Sequence, residues 1–157
     1  MRVVTPGSRL TTPDHMSHLS ALERMYVNGP INQYFKPSIH IEEGRAEVRT
    51  AVRPDMHHAA HAAHGAVYFK LLDDSAFFAV QSLVTETFVV TVSFTVYLVA
   101  PVVEGEMVAT GRVVHQTKRL FLAESVIEVD GRQVARGHGS FMRSTVRLDA
   151  RIGYVAD

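Results

Sequence analysis

The chain has 157 residues, of which 46% are hydrophobic and 20% charged, a composition typical of one soluble globular domain. Sixteen basic and sixteen acidic side chains balance, so we expect no nucleic acid partner. The absence of cysteine excludes disulfides, a catalytic thiolate and cysteine-based metal sites. Residues 1–10 lack an apolar signal segment, and no stretch is apolar enough to span a bilayer, so we expect a cytoplasmic protein without a membrane partner.

The first half of the chain predicts one helix and two strands. Residues 12–14 (Thr-Pro-Asp) are typical of a helix start, and residues 28–30 (Asn-Gly-Pro) of a helix end. Alternating apolar residues between Ile39 and Val52 then predict two strands around a turn at residues 42–45. A His- and Ala-rich loop over residues 54–63 follows.

Residues 64–81 are the most informative segment, because they are apolar almost all round and yet contain two adjacent carboxylates. This pattern predicts a helix that is buried on most sides. Asp74 lies four residues after Lys70, so we expect an ordinary ion pair there. Asp73 lies on an apolar stripe, where a carboxylate is costly. It is either held by a salt bridge or core hydrogen bond, or it is a functional base or nucleophile with a raised pKa.

The second half predicts four antiparallel strands. In the first of them, apolar residues at even positions from Phe88 to Leu98 alternate with Thr91, Ser93, Thr95 and Tyr97. The strands are predicted over residues 88–98, 107–115, 120–129 and 133–142.

This order of elements is typical of an α+β fold in which an antiparallel sheet curls around one long helix. We predict a single domain over residues 1–157. Its expected parts are an irregular tail and helix (1–30), the core (37–143) and a C-terminal tail (144–157).

Several residues together resemble a known family. They are His64-Gly65, Asp73 nine residues after His64, the strand that contains Thr91, and Ala100-Pro101. In this respect the chain is similar to the PaaI-like (phenylacetic acid degradation type) hotdog-fold acyl-CoA thioesterases, over about residues 40–143. The resemblance implies the hotdog fold and hydrolysis of an acyl- or aryl-acyl-CoA to the free acid and CoA. The CoA thioester is then the substrate, and no separate cofactor is expected.

The resemblance also implies roles for three residues. Asp73 is the general base or nucleophile, the backbone N–H of Gly65 polarises the thioester carbonyl, and Thr91 helps to hold the attacking water. For Thr91 the pattern alone is equally consistent with the polar face of a half-buried strand.

Other predicted site residues depart from the family or depend on charge alone. His58 stands where the family has Asn or Gln, and as a donor to the carbonyl or the water its state would depend on pH. Ala66 replaces a second glycine, and is either tolerated or narrows the acyl channel. His64 is expected to line the site beside His58. Lys118 and Arg119, with Arg136 and Arg143 behind them, are candidates to bind the CoA phosphates.

The spacing of His57, His58, His61 and His64 resembles a metal-chelating pattern. No acidic residue or cysteine lies at a matching offset, so we predict no metal site, with His57 and His61 as loop residues.

Gly65 and Asp73 are eight residues apart in one helix, which corresponds to about 12 Å. A reacting carbonyl must lie about 3 Å from each, so the two residues cannot serve one carbonyl within a single chain. We therefore predict a homodimer with sites shared between subunits. The resemblance implies the same arrangement, either as a dimer or doubled into a homotetramer.

Two alternatives remain open at this point. One keeps the fold and changes the chemistry to a hydratase or dehydratase acting on acyl thioesters. The other is a non-catalytic acyl-CoA-binding domain, for which retention of the costly Asp73 is harder to explain.

Overall fold

The computed structural model describes residues 12–157, and the tail predicted over residues 1–11 lies outside them. The helices and strands are α1 (Thr12–Asn28), α2 (Asn32–Phe35), β1 (Ser38–Glu42), β2 (Arg45–Ala51), α3 (Gly65–Gln81), β3 (Thr87–Leu98), β4 (Glu106–Gln116), β5 (Leu120–Val129) and β6 (Arg132–Arg147). Short 3₁₀ turns lie at Pro54–Met56 and Ala150–Ile152.

The six strands form one antiparallel sheet in the order β1-β2-β4-β5-β6-β3, with α3 packed against it. This confirms the predicted α+β fold with a sheet around a central helix. Turn chemistry fixes the hairpins: Asp130 and Gly131 both have positive φ, at 49° and 75°, as a tight hairpin turn requires. Within the described residues β3 pairs only with β6, so it forms one edge of the sheet.

The central helix lies unusually close to β4. A side chain at Gly111 would overlap the backbone of Ser75, so the helix and strand can approach only because Gly111 has none. Beside this contact the Ser75 hydroxyl lies 2.5 Å from the Ser125 hydroxyl of β5, which satisfies both buried polar groups. These contacts fix the position of α3 on the sheet, and with it the direction in which Asp73 points.

The strict alternation predicted for β3 is wrong at its centre, because the strand contains a β-bulge. Thr91 pairs with Phe141 of β6, but Ser93 pairs with the neighbouring residue Ser140, so Val92 is one residue too many. An extra residue reverses the faces of the strand beyond it.

As a result, β3 turns odd-numbered residues inward before the bulge and even-numbered residues inward after it. Val89 is fully buried and Thr91 reaches α3, whereas Val90 is exposed. Beyond the bulge Phe94 packs edge-on against Phe69 of α3 at 90°. The bulge therefore aims the Thr91 hydroxyl, instead of a valine, at the central helix.

The last strand is longer than the residues 133–142 that the sequence predicts. β6 continues to Arg147 because it pairs with the first residue of β3, Thr87. The segment after it packs on α1: His18 Nδ1 lies 2.9 Å from the Tyr154 hydroxyl, and Arg24 donates to the Val155 carbonyl. α1 and the C-terminal segment thus form one layer beside α3.

No helix in residues 12–157 is both long and apolar enough to cross a membrane.

Candidate active site

Asp73 lies on the face of α3 that meets β3, where Thr91 Oγ1 donates a hydrogen bond to its Oδ1 at 2.9 Å. Burial raises the pKa of the Asp73 carboxyl from 3.8 to about 6; the Thr91 hydrogen bond opposes this rise, the Asp74 charge adds to it, and Lys70 opposes it. No salt bridge to Asp73 occurs among residues 12–157. The carboxylate is therefore ionised at neutral pH but more basic than an ordinary aspartate, which suits a base or nucleophile.

Asp74 has a different environment, although it is the next residue. Its Oδ2 accepts from Lys70 Nζ at 2.5 Å and from the Tyr26 hydroxyl at 2.7 Å. The ion pair predicted from the spacing of Lys70 and Asp74 is present, and Tyr26 of α1 is a partner that the sequence pattern could not indicate.

A cavity of about 490 Å³ opens beside Asp73. Its polar wall consists of Asp73, Asp74, Lys70, Tyr26 and Asn32, and the remaining wall is apolar. The apolar lining comes from α1, the loop before α2, α3, β3, β6 and the C-terminal 3₁₀ turn: Met25, Ile31, Phe77, Phe78, Phe88, Val146 and Ile152. The space is of the kind that accepts an acyl or aryl group.

The aromatic side chains Phe77, Phe78 and Phe88 line this cavity. Tyr68 points elsewhere and donates to the Ala100 carbonyl, and Phe69 packs against β3. The lining residues from α1 and the C-terminal segment were missed, because only tertiary packing brings them to α3.

The N-terminal end of α3 leaves one backbone donor unused. His64 is the N-cap residue, and its Nδ1 accepts from the Ala66 N–H at 2.9 Å. The Val67 N–H bonds the His64 carbonyl. The Gly65 N–H makes no hydrogen bond to any residue of the described chain, and Gly65 lines a cavity of about 240 Å³. An unpaired N–H at the positive end of a helix is suited to a carbonyl oxygen or an oxyanion.

His58 lines the same cavity as Gly65, and its surroundings fix its tautomer. Its Nδ1 accepts from the Ala60 N–H at 3.1 Å, so the proton of the neutral ring is on Nε2. His58 can thus present a ring N–H donor at the position where the family has an amide.

The structure does not bring the two halves of the predicted site together within the chain. Asp73, which Thr91 contacts, lines one cavity, whereas Gly65 and His58 line another, two helical turns away along α3. His64 and Ala66 belong to the second half as the N-cap pair, and the Ala66 methyl group does not line the cavity.

The predicted phosphate-binding residues lie at the end of the sheet nearer to Asp73. Lys118 and Arg119 precede Leu120, which pairs with Met142, the residue before Arg143, so all three cations belong to the same end of the sheet. None of these three cations has an ion pair within the described chain, whereas most other described arginines do. Arg136 pairs with Tyr97 and is therefore at the opposite end of the strand.

The remaining histidines of the loop are held by backbone contacts. His57 Nε2 lies 2.8 Å from the Val103 carbonyl oxygen, and His61 is exposed with a φ of 60°. Within residues 12–157 no three His, Asp or Glu side chains converge on a point that could hold a metal ion.

One protein-family model matches the sequence. The family model described as "Thioesterase superfamily" matches residues 61–135, which include α3 and all the predicted catalytic residues except His58. No curated protein matches the sequence.

Solved structures share the fold at low sequence identity. PaaI from the phenylacetic acid degradation operon of E. coli is 23% identical with a TM-score of 0.77, over 85% of this chain and 98% of that one. A mutant of the phenylacetic acid degradation protein PaaI from Thermus thermophilus is 21% identical with a TM-score of 0.68, over 73% and 99%. AziG of S. sahachiroi is 25% identical with a TM-score of 0.69, over 76% and 98%.

These matches confirm the resemblance that the His-Gly-to-Asp pattern predicts. The chain resembles the thioesterase superfamily over residues 61–135, and its fold is the hotdog fold of the PaaI proteins.

Proposed function

We propose that the protein hydrolyses the thioester of an acyl- or aryl-acyl-CoA to the free acid and CoA. The observation that carries this proposal is the Asp73–Thr91 pair at the edge of a mostly apolar cavity. An uncompensated carboxylate with a raised pKa, beside room for an acyl group, is what general-base or nucleophilic attack on a thioester requires.

In the reaction, the Asp73 carboxylate removes a proton from water while the water oxygen attacks the thioester carbon. The Thr91 oxygen, which donates to Asp73, can accept a hydrogen bond from the same water. Collapse of the tetrahedral intermediate breaks the C–S bond, and the thiolate of CoA takes up the proton. In the alternative route Asp73 attacks directly, and water then hydrolyses the mixed anhydride.

The oxyanion needs donors, and the unpaired Gly65 N–H and the His58 Nε2–H are the proposed ones. Each such donor typically lowers the barrier by about 3–4 kcal/mol. Because Gly65 and Asp73 are two turns apart on one helix, we infer that the donors come from a second subunit.

The edge strand β3 supports a dimer. It has twelve residues, and its outer side has no partner strand among residues 12–157. Val90, Val92, Tyr97 and Leu98 are all exposed. A long exposed apolar edge is unfavourable for an isolated chain, and two antiparallel copies of β3 would cover it. Such a pairing moves the Gly65 end of one subunit toward the Asp73 end of the other. Pairs of dimers would give the homotetramer.

Lys118 and Arg119 are proposed to bind the CoA phosphates together with Arg143. All three lie at one end of the sheet without an ion pair among the described residues, and a bound anion would balance their charge. Arg136 is left out of this group because it lies at the other end of β6.

The test is thiol release from a panel of acyl-CoAs that includes phenylacetyl, hydroxybenzoyl and straight-chain acyl groups. We expect turnover by the wild type and a loss of at least about 10²-fold in Asp73→Asn, with fold and assembly unchanged. The exposed Asp130→Asn is the matched control and should retain activity. Turnover that is unaffected by Asp73→Asn would contradict the proposal.

The same assay separates the two alternatives. Binding of acyl-CoA without turnover, at an affinity that Asp73→Ala leaves unchanged, would indicate a binding domain. Hydration of an enoyl thioester would indicate a hydratase. Commitment of His64 Nδ1 to the helix cap leaves that ring less available for such proton transfer.

A further inference from the structure

The Lys70–Asp74 pair is too buried to be an ordinary surface ion pair. The Lys70 side chain is 11% exposed and that of Asp74 18%. Lys70 Nζ also lies over the rings of Tyr26 and Phe35, at 5.4 and 5.1 Å from their centroids. Burying two charges costs several kcal/mol per ion unless good geometry compensates, so a pair in this position requires an explanation.

The pair lies beside the proposed catalytic carboxylate. Asp74 adjoins Asp73 in the chain, and both line the 490 Å³ cavity with Lys70 and Tyr26. Tyr26 belongs to α1, outside the residues 61–135 that match the superfamily. It is 5% exposed, packs edge-on against Phe78, and donates to Asp74. α1 therefore holds the pair in place from a part of the chain that the superfamily match does not include.

The charged groups that act on Asp73 both come from its own helix, Asp74 and Lys70. From α1 the cavity receives Tyr26, whose phenol stays neutral because burial and the Asp74 charge raise its pKa. From β3 the Thr91 hydroxyl donates to Asp73 itself, while the ring of Phe88 and Val146 of β6 line the cavity. The balance of charge around Asp73 thus depends on the adjacent pair alone.

We propose that Lys70 and Tyr26 are positioning residues that neutralise Asp74, so that Asp73 remains the single uncompensated carboxylate of the cavity and is ionised at neutral pH. Two adjacent carboxylates in an apolar site repel each other, and one of them takes up a proton. With Asp74 paired, Asp73 is free to act as a base. The inference rests on the proposed catalytic role of Asp73, but its physical content can be tested without activity.

The charges of Lys70 and Asp74 predict how the pKa of Asp73 should shift in three variants. Lys70→Met leaves the Asp74 charge uncompensated, so the pKa of Asp73 should rise by about one unit. Asp74→Asn leaves Lys70 without its partner, so the pKa of Asp73 should fall by a similar amount. Lys70→Met combined with Asp74→Asn removes both charges and should return the pKa close to the wild-type value.

A merely structural role for the pair would not produce this reversal of sign. Lys70→Arg keeps the charge and should leave the titration midpoint unchanged. Tyr26→Phe removes one donor from Asp74 and should raise the midpoint in the same direction as Lys70→Met, by less.

The measurement is a carboxyl ¹³C NMR titration of the full chain labelled at aspartate, with the Asp73 signal assigned by its loss in Asp73→Asn. Opposite shifts in the two single variants, cancelling in the double variant, would support the proposal. An unchanged midpoint in all variants, or one shifted in the same direction in all three, would overturn it. The readout needs no turnover, so failure of the thioesterase proposal would be seen separately in the thiol assay. If Lys70→Met does not fold, the near-isosteric Asp74→Asn and the double variant still decide.

Discussion

At the scale of single residues, Asp73 and Asp74 are adjacent and chemically identical, but their partners give the two carboxylates different properties. Asp74 has a cation and a phenol within 2.7 Å, whereas Asp73 has one neutral hydroxyl. The sequence predicted the Lys70–Asp74 pair from its spacing, and the exceptional position of Asp73 from the apolar stripe. It could not predict Tyr26, because contacts between α1 and α3 are not encoded in local spacing.

The raised pKa of Asp73 implies a cost to stability. The folded value of about 6 lies above the ordinary 3.8, so the folded state binds the proton more tightly than the unfolded chain. The contribution of protonated Asp73 to the free energy of unfolding is fully present below pH 3.8 and is lost as the pH rises through 6. Asp73→Asn should therefore change the free energy of unfolding little near pH 4 and increase it by about 1–3 kcal/mol near pH 8.

Denaturant unfolding at a fixed protein concentration measures this difference. Asp130→Asn, at an exposed hairpin position, is the control for the loss of a carboxylate alone. A gain for Asp73→Asn that is the same at both pH values would mean that Asp73 is not held at a raised pKa.

At the scale of elements, the N-terminus of α3 permits a test of one backbone donor. Gly65 is the first residue of the helix, where proline fits, and the preceding His64 has the extended conformation (φ −63°, ψ 145°) that proline requires. Gly65→Pro should thus remove the N–H while the helix is retained. We expect kcat to fall by about 10²–10³-fold.

Gly65→Ala is the matched control, since it keeps the N–H and its Cβ would meet only Leu98, at 3.4 Å. It should retain most of the activity. Similar losses in both variants would assign the effect to crowding in the cavity and not to the missing donor.

The sequence patterns predict some features of the helices and strands and fail to predict others. The helices α1 and α3 and the hairpins followed from caps, turn residues and periodicity, as at residues 28–30 and Asp130-Gly131, whereas the short helix α2 was not predicted. The bulge at Val92 did not, because an inserted residue is defined only by the partner strand. The alternation alone therefore did not predict that Thr91 faces α3. The length of β6 likewise depends on its pairing with Thr87.

At the scale of the whole molecule, the proposed site requires more than one chain. The cavity beside Asp73 is built from α1, α3, β3, β6 and the C-terminal segment of the same chain. The proposed oxyanion donors lie at the other end of α3. The sequence predicted this separation from helix geometry alone, and the structure supports it by placing Gly65 and Asp73 in different cavities. We propose that each site takes Asp73 from one subunit and the Gly65 N–H from its partner.

Complementation between two inactive variants tests that claim most directly. Asp73→Asn and Gly65→Pro should each be inactive alone, and co-expression should produce mixed dimers. In a mixed dimer with shared sites, one site carries both defects and the other carries neither. Thiol release should then recover to about a quarter of the wild-type rate, as random pairing of subunits in a symmetric dimer requires. If both variants assemble and mix but the co-expressed protein stays inactive, each site lies within one chain and the shared-site account is wrong.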